Sequence, residues 1–157
     1  MKITVMICLL MLSVSMTQTG ASTGAFEPAT RIGAASETSF FTFSTSVGNY
    51  ILRHDGFCEV SVKGKRRTFW LKVGGRAERV YFYEYEGDLV LLSEGSDKTG
   101  YLSRVNQQTR KTRWVTPVKG SNIRPPVVEG DTACFSAADV LTKVDLKTGA
   151  YLNDVLP

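Results

Sequence analysis

The sequence predicts an all-β protein in which three four-stranded antiparallel meanders are arranged as an incomplete β-propeller. Short runs of β-branched and aromatic residues recur along the chain, separated by Gly, Asn, Asp and Ser. Two segments resemble each other, one beginning at Gly87 and one at Gly130, and a fainter copy begins at Gly48. These glycines are about 39 and then about 43 residues apart, which is the spacing of propeller blades. No window after the N-terminal segment has a helical pattern of apolar residues.

The first 22 residues have the pattern of a secretory signal peptide. Lys2 supplies a positive charge, an apolar run extends from Ile3 to Val14, and small residues follow near Ser22. The apolar run is too short to span a bilayer stably, and no positively charged flank typical of a retained anchor follows it. We therefore expect a periplasmic or secreted protein without stable membrane insertion, with a retained anchor as the alternative.

About 135 residues remain after cleavage, enough for one domain. Residues 23–38 are rich in small residues without a clear period and predict an N-terminal arm, either a leader strand or a loose segment. Residues 39–157 form the predicted domain. A formal charge of +4 on the whole chain is modest, so we expect no nucleic acid partner.

Each repeat is predicted to contain four strands. The predicted strands are 39–44, 49–53, 57–62 and 67–73 in the first unit, 79–85, 89–93, 101–105 and 112–117 in the second, and 123–128, 132–136, 140–145 and 151–155 in the third.

Turn residues join these strands. Gly87 and Gly130 lie where a two-residue hairpin needs positive φ. Asn106 and Asp145 begin the turns between the third and fourth strands, where an Asx side chain accepts backbone N–H groups. Trp114 ends the second repeat, and we expect it to pack between neighbouring blades.

In the third repeat, Pro125-Pro126-Val127-Val128 precedes Gly130-Asp131, and Asp145-Leu146-Lys147-Thr148-Gly149 follows. This pattern resembles the blades of pyrroloquinoline-quinone-type β-propellers. In that family a Pro-Val strand precedes a Gly-Asp turn, and an Asp-x-x-Thr-Gly turn precedes Trp. The second repeat has Arg110 in place of the turn Gly, and the third has Asn153 in place of Trp. The resemblance covers about 110 residues. It implies an architecture but no particular cofactor or chemistry, because such blades occur in quinoprotein dehydrogenases and in non-catalytic scaffolds. The residues that carry it are Trp70, Trp114, Asp145, Thr148 and Gly149.

The chain is predicted to have no catalytic residues, no metal and no cofactor. A quinoprotein enzyme needs a closed ring of about four to eight blades, so a degenerate quinoprotein is a remote alternative. The one histidine, His54, has Cys58 four residues on, but a solvated turn is the favoured interpretation of this pair. Two cysteines and one histidine also fall short of a tetrahedral zinc site.

Cys58 and Cys134 form an even pair once the signal peptide is removed. In an oxidising compartment the two thiols could form a disulfide that joins the first repeat to the third. The alternative is that both are small apolar core residues on strands.

One loop departs from the repeat pattern. The second unit inserts Glu94–Gly100 between its second and third strands, and insertions in repeats commonly map to a binding face. We expect a protruding tip that contacts a partner, with a flexible loop of no function as the alternative. The candidate contact residues are Ser93, Glu94, Ser96, Asp97, Lys98 and Thr99.

Two classes of function fit an exported protein with a β scaffold and one long loop. In size, export and architecture the chain is similar to periplasmic immunity proteins against type VI secretion amidases, some of which insert a loop into the active-site groove of the toxin. This similarity implies a peptidoglycan amidase as partner and inhibition as function. The alternative is an envelope scaffold that binds through sheet edges, and a homodimer is compatible with both.

Overall fold

A computed structural model describes residues 23–33, 39–119 and 121–152. The predicted signal peptide, residues 34–38 of the predicted arm and residues 153–157 lie outside the described residues. The strands are β1 (Thr23–Ala25), β2 (Glu27–Pro28), β3 (Thr30–Ile32), β4 (Phe40–Ser44), β5 (Asn49–Arg53), β6 (Phe57–Val62), β7 (Lys65–Trp70), β8 (Ala77–Tyr85), β9 (Asp88–Gly95), β10 (Gly100–Asn106), β11 (Thr112–Val118), β12 (Val127–Glu129), β13 (Thr132–Ala137) and β14 (Val140–Asp145).

The predicted all-β class is confirmed, and these strands form three antiparallel sheets. The first sheet has the order β3-β4-β5-β6-β7, the second β11-β10-β9-β8-β2 and the third β1-β12-β13-β14. Apart from the arm strands β1, β2 and β3, each sheet is a meander of consecutive strands, as the short turns between the predicted strands require. In the part of the chain that the structure describes, the sheets do not close into a barrel.

The second sheet lies between the other two. One hydrophobic core, which includes Tyr50, Leu52 and Leu91, lies between the first and second sheets. The other core, which includes Leu92 and Phe135, lies between the second and third sheets. Strand β5 accordingly alternates buried and exposed residues, whereas every residue of β9 is buried because both of its faces are covered.

The N-terminal arm crosses all three sheets. Strand β1 pairs with β12, β2 pairs with β8, and β3 pairs with β4, so the arm adds one strand to the first strand of each meander. Between these strands, the backbone N–H of Phe26 donates to Pro126 O and that of Ala29 donates to Val80 O, both at 2.9 Å. The prediction of four strands per sheet therefore omits the arm, which satisfies backbone groups that would otherwise form an open edge. In the third unit the described meander has three strands, and of the predicted strand 151–155 the described residues show only an isolated bridge between Tyr151 and Val144.

The hairpin turns of the second and third repeats differ in phase. In the second repeat the turn is Glu86–Gly87, flanked by the pair Tyr85 and Asp88, with φ of 50° and 78° at the two turn residues. In the third repeat Gly130, with φ of 60°, is the first turn residue and the flanking pair is Glu129 and Thr132. The matching glycines of the sequence are therefore one residue out of register in the fold.

The turns that begin at Asn106 and Asp145 have the same hydrogen bonds. Asn106 Oδ1 accepts from the N–H groups two and three residues later at 2.9 and 2.8 Å, and Asp145 Oδ1 does so at 2.7 and 3.2 Å. Thr148 Oγ1 then accepts from Ala150 N at 3.2 Å. Arg110 has φ of 60° at the position that Gly149 occupies with φ of 75°.

The two tryptophans do not have equivalent positions. Trp114 packs against the core between the second and third sheets, and its Nε1 donates to Leu146 O at 3.2 Å. Trp70 lies on β7 with 64% of its surface exposed, next to Phe57 on the outer face of the first sheet. The inter-blade packing expected of the repeat tryptophan is thus found for Trp114 and not for Trp70.

No disulfide joins Cys58 to Cys134, so the possible bridge between the first and third repeats is absent. Cys58 lies on β6 in the core between the first and second sheets, whereas Cys134 lies on β13 in the third sheet. Burial, together with the nearby charge of Glu59, raises the pKa of the Cys58 thiol to about 12. Both cysteines are buried strand residues, which was the alternative interpretation.

Candidate functional site

The hairpin between β9 and β10 contains the predicted contact loop, but its exposed part is shorter than predicted. Strand β9 extends through Gly95 and β10 begins at Gly100. The exposed part is residues 96–99, which we call the tip. The sequence prediction placed Glu94, Gly95 and Gly100 in the loop because Gly and charged residues are rare in strands.

Hydrogen bonds within the tip fix its shape. Asp97 Oδ1 accepts from Thr99 Oγ1 at 2.6 Å and from Thr99 N at 3.1 Å. These two bonds lower the pKa of Asp97, so its carboxylate is charged at neutral pH. Gly95 N donates to Thr99 O at 2.8 Å, and Lys98, with φ of 63°, donates its N–H to Gly95 O at 3.0 Å. The tip is therefore a closed turn and not an extended loop.

The tip is also docked on the segment that links the first sheet to the second. Ser96 N donates to Arg76 O at 2.8 Å, and Arg76 N donates to Ser96 Oγ at 3.4 Å. Gly74 lies directly behind the tip: a Cβ added there would come within 2.1 Å of Thr99 Oγ1. A Cβ on Gly95 would come within 1.7 Å of Gly74 O. Both glycines thus permit a contact that no larger residue would allow.

Two of the predicted contact residues lie inside the fold. Ser93 is fully buried, and its hydroxyl has no hydrogen-bond partner among the described residues. Glu94 is 8% exposed and accepts from the N–H groups of Asn122 at 2.6 Å and Ile123 at 3.2 Å. Glu94 therefore holds the connection between the second and third sheets. Neither side chain is presented at the surface, whereas the side chains of Ser96, Asp97, Lys98 and Thr99 are exposed.

A small cleft of about 190 Å³ adjoins the tip. It is lined by Arg31 from the arm, His54 from the β5–β6 turn, and Arg76, Glu78 and Ser96 from the second unit. The structure thus places the one histidine beside the tip. The thiol of Cys58 faces the opposite way, into the core, with no exposed surface. His54 and Cys58 are therefore not brought together at the surface.

A larger groove of about 440 Å³ lies where the arm crosses between the second and first sheets, and among the described residues that line it Glu27 is the one that is charged. Within residues 23–33, 39–119 and 121–152, no group of three or more His, Cys, Asp or Glu residues has a metal-binding arrangement. None of the described residues forms a helix that is long and apolar enough to cross a membrane.

Polar residues between the sheets were not identified from the sequence. Gln107 is buried, and its Oε1 accepts from Tyr50 Oη and Thr45 Oγ1, both at 2.7 Å. Its Nε2 donates to Gly87 O at 3.0 Å and to Glu84 at 3.1 Å, so the amide joins the first sheet to the second. Because Gln107 stands beside a second Gln in a polar turn, the sequence contains no signal for this role.

The comparisons with known proteins gave no matches. No protein-family model matches the chain, and no curated protein or solved structure is significantly similar to it.

Proposed function

We propose that the protein is a non-catalytic periplasmic or secreted module that binds another protein through the tip of the β9–β10 hairpin. The observation that carries this proposal is the fixed conformation of an exposed polar turn. A loop held in its binding shape loses little conformational entropy when it binds, which favours affinity. Ser96, Asp97, Lys98 and Thr99 offer hydroxyl, carboxylate and ammonium groups at one end of the second sheet.

The partner that we propose is a secreted cell-wall amidase, inhibited when the tip enters its active-site groove. The protein would then act as an immunity protein. Its tip spans four residues, narrow enough to enter a cleft, and the adjoining cleft with Arg31, His54 and Arg76 would hold the rim of the groove. Hydrogen bonds from the polar tip would replace those that the amidase groove makes to peptidoglycan.

The test is hydrolysis of purified peptidoglycan by a secreted cysteine–histidine amidase encoded beside this chain. An equimolar amount of the protein is expected to abolish hydrolysis, and unchanged turnover with excess protein contradicts the proposal. Lys98→Glu, on the tip, should weaken inhibition. Lys65→Glu makes the same charge change on the exposed edge strand β7 and should leave inhibition unchanged.

Gly74→Ala tests whether the shape of the tip matters. Gly74 lies behind the tip, where an added methyl group must displace Thr99. We expect this variant to remain folded and to inhibit less well than the wild type. Inhibition at the wild-type level would show that the docked conformation of the tip is not needed for binding.

A second candidate function is an envelope scaffold, favoured by the outer edges of the sheets. Strands β7, β11 and β14 are terminal strands in the sheet order of the described residues. A terminal strand can pair with an extended segment of another protein. For a scaffold of this kind, Lys65→Glu would weaken partner binding and Lys98→Glu would not.

A further inference from the structure

Large exposed apolar side chains lie at both ends of the sheet array. On the first sheet, Phe40, Ile51 and Trp70 are 37%, 44% and 64% exposed, and all three lie on the face turned away from the second sheet. On the third sheet, Val127 and Leu141 are 46% and 59% exposed and lie on the face turned away from the second sheet. We call these the first and third end faces.

The register of the hairpins relates each end face to the faces that pack between the sheets. The pairs that flank the three hairpin turns are Thr45 with Gly48, Tyr85 with Asp88, and Glu129 with Thr132. Tyr50, Val90 and Cys134 each lie two residues after the second member of their pair, so they occupy equivalent positions. Tyr50 packs towards the second sheet and Val90 towards the third. Cys134 belongs to the third end face, where a following sheet would pack in the same way.

The other face of each sheet shows the same equivalence. Leu91 and Phe135 follow Val90 and Cys134 in the chain, and they pack towards the preceding sheet, the first and the second respectively. Ile51 is the equivalent residue of the first sheet and lies on the first end face. The first sheet packs on the second, and the second on the third, through faces of this kind. The third end face of one molecule can therefore pack on the first end face of another in the same way.

The two ends also differ in charge. Residues 39–73 contain six Lys and Arg against two Asp and Glu. Residues 121–152 contain three Lys and Arg against four Asp and Glu. A basic end and a slightly acidic end attract each other, whereas two basic ends repel, so the charges favour contact between unlike ends.

We propose that a second copy of this chain covers both end faces, with the third end face of each copy packed on the first end face of the other. Such a contact between unlike surfaces closes into a ring when the rotation allows it. Two copies supply six sheets, within the range of about four to eight blades for closed propellers. The proposal rests on the fold alone and does not depend on the proposed inhibition of an amidase.

The test is the oligomeric state of single and mixed variants. The full sequence is expressed, and the protein is purified as the cell processes it. Light scattering after size exclusion is expected to give the mass of a dimer. Ile51→Arg blocks the first end face and Val127→Arg the third, and each variant alone is expected to be a monomer. An equimolar mixture should form a heterodimer, because each variant retains the face that the other has lost.

Val115→Arg is the matched control, because Val115 is 39% exposed on β11 of the second sheet, away from both end faces. This variant should remain dimeric. Thermal unfolding checks that all three variants are folded. A monomeric wild type would overturn the proposal. So would a dimer that Ile51→Arg dissociates and Val127→Arg does not, since that result indicates contact between two like faces.

Discussion

Arg104 and Asp88 form an ion pair inside the fold. The Nε of Arg104 donates to Asp88 Oδ2 at 2.7 Å, and the two side chains are 9% and 4% exposed. The same guanidinium donates to Leu146 O at 3.0 Å and lies over the ring of Tyr85 at 4.8 Å. Arg104 thus uses its fixed charge to join the second sheet to the third.

Removal of Asp88 should destabilise the fold strongly. Asp88→Ala leaves the buried guanidinium of Arg104 without its main carboxylate, and breaking a buried pair costs about 3–5 kcal/mol. Glu86→Ala is the control: Glu86 contacts the same Arg104 at 3.3 Å, but its side chain is 55% exposed. Loss of an exposed pair costs at most about 1 kcal/mol. Urea unfolding measures both values, and equal losses would contradict a dominant role for Asp88.

Gly149 should not tolerate alanine. It has φ of 75°, and an added Cβ would lie 2.6 Å from the ring of Trp114. Gly64 has the same φ but has no atom within 4 Å of an added Cβ. Gly64→Ala is therefore expected to cost about 1 kcal/mol for backbone strain. Gly149→Ala should cost several kcal/mol because Trp114 must also move, since overpacking alone costs about 1–3 kcal/mol. Similar melting temperatures for the two variants would show that Trp114 does not pack on this turn.

The arm should contribute strongly to stability through Phe26. This side chain is 3% exposed, belongs to the core between the second and third sheets, and stacks on Tyr83 at 5.4 Å. Phe26→Ala is expected to lower the free energy of unfolding by about 3–5 kcal/mol. Ile32→Ala, at an arm position that is 52% exposed, should cost under about 1 kcal/mol. An equally small effect of both substitutions would indicate an arm that is not bound to the sheets.

Acid should weaken the contact between Asp131 and Tyr85. The Tyr85 hydroxyl, and then the Lys147 ammonium, donate to the Asp131 carboxylate and hold its pKa below the ordinary value of 3.8. A lowered pKa in the folded state gives stability that is present above pH 3.8 and is lost as the pH falls through the folded value. Asp131→Asn and Tyr85→Phe should both flatten the fall of melting temperature on acidification below about pH 4. Slopes equal to that of the wild type would contradict this linkage.

Local patterns predicted most of the strands, because each strand carries its own alternation and turn signals. The alternation in β5 and the Asx residues Asn106 and Asp145 are examples. The arm could not be placed in the same way, since β1 and β2 pair with β12 and β8, far along the chain. The sequence did not predict that β9 extends through Gly95. Glu94 is a charged residue, and it is accommodated inside the fold because its carboxylate accepts hydrogen bonds from the N–H groups of Asn122 and Ile123.

Local sequence patterns also did not predict which residues occupy the hairpin turns of the second and third repeats. The glycines of the second and third repeats match in sequence, yet Glu86 adopts φ of 50° and takes the first turn position that Gly130 takes in the third repeat. A shift of one residue reverses which side chains face each neighbouring sheet. The positions of Val90 and Cys134 therefore follow from strand pairing and not from alignment of the repeats.

Hydrogen–deuterium exchange of the protein, free and bound to a secreted cell-wall amidase, tests most directly whether the tip makes the contact. Binding is expected to slow exchange in residues 95–99 and in the docked segment 74–76, and to leave the edge strands β7 and β14 unchanged. Slower exchange confined to β7, β11 or β14, with the tip unaffected, would contradict recognition through the tip.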